Sequence, residues 1–294
     1  MSDQFDVIEA GERGRRRLIG LVVVLALLVV PAVSLLLSRS PEQPLPAPPV
    51  VPTPVRSLTT IDNGPSALQV PARTKGHDEI IDVVFPDGTK AEVRYPAELG
   101  LNELGSRPFQ GAWVDGQYRQ FTVPYNGVAE VTKGGRPIRS YGPDVTLWPR
   151  QPGSGGYGQV LLFAFGRWRV AMQDRGQGLT FEQRMALVRD LRGKVTKDGY
   201  LVLSGKGSVQ LAEPGATAQG DPAGPQLWFG GGMRGVVALV PTPDCAKKAR
   251  MPGAVIGRGR PGEWVCRGDT QVAVAGSADF RHRALTGIQV TTKH

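Results

Sequence analysis

The stretch EIIDVVF-PDGT-KAEVRY, Glu79 to Tyr95, sets the fold class. Glu79–Phe85 and Lys90–Tyr95 carry the β-branched and aromatic residues that suit a pleated surface. Pro86-Asp87-Gly88-Thr89 between them supplies a fixed φ and a glycine, so the whole reads as strand, tight turn, strand. The same grammar continues downstream. Strands are expected at Tyr118–Val123, Val128–Thr132, Gln159–Phe165, Arg167–Gln173, Tyr200–Ser204 and Ser208–Leu211. More follow at Gln226–Phe229, Val236–Val240, Glu263–Cys266, Thr270–Ala275 and Gly287–Thr292. In Arg167–Gln173 the side chains Trp168, Val170 and Met172 share one face. The preceding QVLLFAF is apolar on both faces, which predicts a central strand covered on both sides.

One helix stands out, over about 181–192. Thr180-Phe181-Glu182-Gln183 is a capping box. Phe181, Met185, Val188 and Leu191, widened by Leu187, form an apolar stripe at helical spacing. Arg192-Gly193 predicts its stop, with the glycine left-handed. The helix is expected on the second face of QVLLFAF, with Arg184 snorkelling out of the stripe. The fold class is therefore α+β, a mostly antiparallel β domain with this one helix. Residues 61–294 read as one domain with long surface loops, or as two joined near Glu213–Pro225.

Upstream, Leu18–Leu37 is twenty residues without a charge, about 30 Å of helix and the thickness of a bilayer core. Arg13, Arg15, Arg16 and Arg17 precede it and predict a cytoplasmic N-terminus of 17 residues, with the remainder exported. Ala32-Val33-Ser34 has the small-x-small pattern of a signal-peptide site, but three leucines follow it, so an uncleaved transmembrane anchor fits better. Residues 38–60 are a proline-rich stalk, with seven prolines between Pro41 and Pro54. The cytoplasmic stub is too short to fold alone, which excludes a one-piece transmembrane receptor.

The only cysteines, Cys245 and Cys266, fall in the exported part, where a disulfide is expected and two buried thiols are the alternative. A metal site needs more ligands than two cysteines supply, and the only histidines are the scattered His77, His282 and His294, so neither metal nor cofactor is implied. There is no G-x-S-x-G, H-E-x-x-H or S-x-x-K. Ser204-Gly205-Lys206-Gly207-Ser208 lacks phosphate-loop spacing and reads as a hairpin turn, and His77 and His282 read as surface residues. Carboxylates at Asp78, Glu79, Asp82 or Asp115 leave an acid–base site open. Arg258-Gly259-Arg260-Pro261 imitates the minor-groove element of an AT-hook, but its place outside the cytoplasm argues against a nucleic-acid partner.

The net charge is +9, of which +6 lies from Cys245 onward. Lys247, Lys248, Arg250, Arg258 and Arg260 form either a solvated basic face or an anion-binding surface for wall polymers or lipid headgroups.

PDGT at 86–89 followed by AEVRYP at 91–96, Trp168-x-Val170, Leu191-Arg192-Gly193 and DGYLVL at 198–203 together resemble uncharacterised single-pass membrane proteins of actinomycetes, the high-GC Gram-positive bacteria. The likeness covers about residues 79–240 and rests on structural turns and strands. It implies a bacterial envelope setting and carries neither an activity nor a catalytic residue. The functional expectation is a membrane-anchored, extracytoplasmic binding or accessory module whose partners are the bilayer, an anionic wall polymer or a membrane protein. The alternatives are a tethered hydrolase with a carboxylate site and an accessory sensor subunit.

Overall fold

The computed structural model describes residues 66–133, 135–150, 157–175, 178–231, 235–256 and 261–293. The apolar run 18–37, the stalk, Arg13, Arg15, Arg16, Arg17, Arg258, Arg260 and His294 lie outside the described residues. Among the described residues, no helix is long and apolar enough to cross a membrane.

The hairpin at 79–95 forms as read. Strands β1 (Arg73–Lys75), β2 (Asp78–Val84) and β3 (Lys90–Pro96) precede a helical turn, α1 (Leu101–Leu104). Strand β4 (Ser106–Val114) then turns at Asp115-Gly116 into β5 (Gln117–Thr122), and a second short helix, α2 (Val128–Thr132), follows. Next come β6 (Arg139–Gly142), β7 (Val145–Trp148), β8 (Tyr157–Phe165) and β9 (Trp168–Arg175). Helix α3 (Phe181–Asp190) leads into β10 (Leu191–Val195), β11 (Leu201–Gly205) and β12 (Val209–Leu211). Two short strands, β13 (Thr217–Ala218) and β14 (Asp221–Pro222), precede β15 (Gln226–Gly230) and β16 (Val236–Pro241). The last elements are α4 (Cys245–Lys248), α5 (Gly253–Ile256), β17 (Gly262–Arg267), β18 (Thr270–Ala275), α6 (Ala278–Gly287) and β19 (Gln289–Lys293).

Every named strand pair is antiparallel. A large sheet runs β17-β18-β16-β15-β4-β5-β9-β8-β7-β6, with β12 also on β4, and a smaller one runs β1-β2-β3-β19. The main core joins one face of each: Ile81, Val93 and Tyr95 from the small sheet cluster with Val114, Phe163, Met172, Leu239 and Val274 from the large one. Residues 60–294 form one unit by their contacts. Within it the 213–225 segment is bound to the large sheet, for Gly111 N–H donates to the Ala223 carbonyl at 2.9 Å.

Strand β8 is covered on both faces: Leu161 and Phe163 enter the main core, and Val160 and Leu162 a second cluster. What covers the second face differs from expectation. It is α2, through Val131 and Val128, where the sequence predicts a strand. Helix α3 instead puts Leu187 into the main core and leaves Phe181 and Met185 exposed. Its capping box is present, Thr180 and Gln183 exchanging bonds of 2.9 and 3.2 Å.

Helix α3 also ends differently. Leu191 is already extended (φ −86°, ψ 131°) and starts β10 without a left-handed glycine. Gly193 lies inside that strand because a Cβ there would stand 2.4 Å from Cγ of Phe165. Gly193→Ala therefore forces the ring to shift, and denaturant melts should show a loss of about 1–3 kcal/mol. Unchanged stability would refute this account of the glycine. Helix α6, capped by the Ser277 hydroxyl accepting from Phe280 N–H, has no counterpart in the sequence reading. The 204–208 segment is a turn, closed by Val209 N–H on the Lys206 carbonyl, but it joins strands of different sheets and makes no hairpin.

Candidate functional site

Cys245 and Cys266 are bonded, with Cα atoms 5.9 Å apart. The bond ties α4 to the edge strand β17, and within the loop it closes Met251 and Val255 lie against the outer face of the large sheet. In a chain-entropy account, closing a loop of this size contributes about 3 kcal/mol. The floor under the loop is made of small side chains, Ala238, Ala273 and Ala275, with Val236 and Val240. Short side chains let a helical turn approach closely, so Val255 of α5 and Met251 fill the space against them and against Trp228. Gly262 belongs to the same fit, since a Cβ there would lie 2.4 Å from Ile256 Cγ2. Two polar contacts pin the loop: Gln271 Nε2 donates to the Arg250 carbonyl at 2.9 Å, and Gly253 N–H donates to Asp221 at 3.1 Å.

Several cations of the last fifty residues are engaged by carboxylates. Lys248 pairs with Asp244 at 3.2 Å, Arg281 with Glu263 at 2.8 Å, and Arg283 with Asp279 at 2.6 Å. Lys293 meets Asp82 and Glu92 across the small sheet. Arg267 donates to the Leu285 and Ile288 carbonyls at the end of α6, where a helix carries partial negative charge. Of the anion-binding candidates that are described, Lys247, Lys248 and Arg250 are all exposed on the disulfide loop.

The carboxylates named from sequence do not converge. Asp78 pairs with Arg94 at 2.6 Å and Asp82 with Arg73 at 3.2 Å, both on the outer face of the small sheet. Glu79 turns to the inner face, directly across the ladder from Tyr95. Burial first, and the hydrogen bond to Glu79 second, push the Tyr95 phenol well above its usual pKa, so it stays neutral. Its hydroxyl also accepts from Asn102 N–H at 3.2 Å. Asn102 borders an open groove of about 250 Å³ lined by Gln69, Val70, Pro71 and Glu103. Asp115 is exposed at a turn with φ 48°. His77 and His282 are exposed, and among the described residues no group of three or more His, Cys, Asp or Glu is placed to hold a metal.

Sequence reasoning missed a buried ionic cluster. Asp174, 3% exposed, lies 2.9 Å from Arg184 Nη2 and 3.9 Å from Nε of Arg119, itself 8% exposed. Arg184 also donates to Gln159 at 3.0 Å. Burial works to lower the Arg184 pKa, but the bonds to Asp174 and Tyr141 outweigh it and the guanidinium is held above its ordinary value. Arg184 is thus a partner of the sheet and no snorkelling residue. Its presence in an apolar stripe was the only available signal. No protein family, no curated protein and no solved structure matches this chain.

Proposed function

We propose that this chain is a membrane-tethered protein of the bacterial envelope whose β-rich domain lies outside the cytoplasm and binds a partner without turning over a substrate. The observation that carries the reading is the Cys245–Cys266 disulfide, a bond that persists in oxidising compartments. It agrees with the uncharged run Leu18–Leu37 and the arginines before it. The binding role is supported by how the charged groups are used. The carboxylates of a hydrolase site would have to converge, and Asp78 and Asp82 are instead engaged with cations on an exposed sheet.

A reporter enzyme that matures only outside the cytoplasm, fused after His294, tests the topology. The fusion is expected to be active, and Cys245 and Cys266 should resist alkylation until a reductant is added. Activity of a cytoplasmic reporter alone, with both thiols alkylated at once, would overturn the reading.

A further inference from the structure

Five large apolar side chains are exposed among the described residues, and two of them, Ile256 and Trp264, lie on the same side of β17. Each is 40% exposed. Ile256 stands over Gly262, and Trp264 follows two residues later, so it projects from the same face of β17. Glu263 between them points the other way, to Arg281 on α6. The tryptophan lies opposite Ala273 in the ladder, at the rim of the alanine floor that α5 already fills. The two exposed side chains make an apolar ridge on an edge strand.

Cations border the ridge. Lys247, Lys248 and Arg250 are exposed on the same loop, which is held to β17 by the disulfide and to Gln271 by the Arg250 carbonyl. Residues 244–256 carry three cations against the single carboxylate of Asp244, a net +2. An indole beside an aliphatic group, flanked by basic side chains, matches a membrane surface, where tryptophan settles at the headgroup level and cations meet anionic lipid. An anionic polymer in water would pair with the cations but would not bury the isoleucine.

The tether permits the contact. Ser66 N–H donates to the Tyr125 carbonyl. The Tyr125 ring lies 4.9 Å from the Arg107 guanidinium, and Arg107 continues the cross-strand row Trp264, Ala273, Ala238, Trp228. Residues 38–65 between the apolar run and Ser66 span about 95 Å at full extension, so a tethered domain can reach its own bilayer.

We propose that Trp264 and Ile256, with Lys247, Lys248 and Arg250, form a docking surface for an anionic lipid bilayer. The inference rests on the tethered reading above. The contact is weak by itself and is held by the tether, which keeps the domain at an effective concentration near the millimolar range.

The test uses the full chain reconstituted in vesicles of phosphatidylcholine, with or without phosphatidylglycerol, carrying bromine on the acyl chains near the interface. Tryptophan quenching by the brominated lipid is the readout. It is expected to be stronger with phosphatidylglycerol and to lose that excess in W264F. In K247Q/K248Q/R250Q the contact equilibrium should weaken about 100-fold, from three lost charges near an anionic surface. I256S provides a second variant that keeps both the indole and the charges, and should reduce the excess quenching.

Excess quenching that persists unchanged in W264F would sink the proposal. So would retention on isolated wall polymer that depends on the cations and ignores Trp264, because it would assign the surface to the polymer. Extraction of native membranes with alkaline carbonate separates the two readings. A chain released by it has lost the tether, while flotation of that released chain with anionic vesicles still reports on the surface.

Discussion

Trp168→Ala is expected to lower the free energy of unfolding by about 3–5 kcal/mol, as large-to-small changes of fully buried aromatic residues do. Trp168 opens β9, is buried among the main-core residues, and donates its indole N–H to the Gly199 carbonyl at 2.8 Å. That carbonyl belongs to the turn between β10 and β11, so a single side chain joins the large sheet to a separate hairpin. Alanine would leave a cavity and an unsatisfied acceptor together. Trp168→Phe isolates the second effect and should cost less, since most of the apolar volume is kept while the bond is lost. Denaturant unfolding followed by far-ultraviolet circular dichroism measures both, with an unchanged slope expected. A loss below 1 kcal/mol for the alanine variant would contradict the packing described.

Asp174→Ala is expected to cost a similar amount, about 3–5 kcal/mol, for an electrostatic reason. Asp174 is the carboxylate set between Arg119 and Arg184. Taking it away leaves two guanidinium groups close together, one of them almost fully buried. Neither can lose its charge, because arginine is not deprotonated in proteins. The double variant Asp174→Ala/Arg184→Met should be less destabilised than the sum of its single changes, since methionine removes one of the stranded cations and keeps apolar volume. Additive losses in that cycle would show that Asp174 and Arg184 are not coupled.

The parts of the fold that were legible in the sequence are those with local causes. The 79–95 hairpin is set by its turn residues, the start of α3 by the Thr180–Gln183 box, and β9 by strict alternation. Helix α2 was not legible, since Val128 and Val131 favour a strand by propensity. It is helical because Val131 fills the space over Val160 and Leu162, and because Glu130 accepts from Asn126 N–H at 3.0 Å. Periodicity also cannot say which neighbour a stripe will meet. Phe181 lies beside Tyr141 and under Arg139, at the edge of the sheet and away from the core.

The candidate site was half legible for the same reason. The cysteine pair and the cations of the loop can be counted from the sequence, but Trp264 sits in a run that reads as an ordinary half-buried strand. It is exposed because β17 is the last strand of its sheet, and strand order is a long-range property that no local pattern encodes.

The methyl groups of Ala238, Ala273 and Ala275 have one more effect. Because they are so short, the loop rests almost directly on the backbone layer, and Val255 takes up the little depth that remains. A larger side chain at any of these three positions would push Val255 and its helical turn off the sheet.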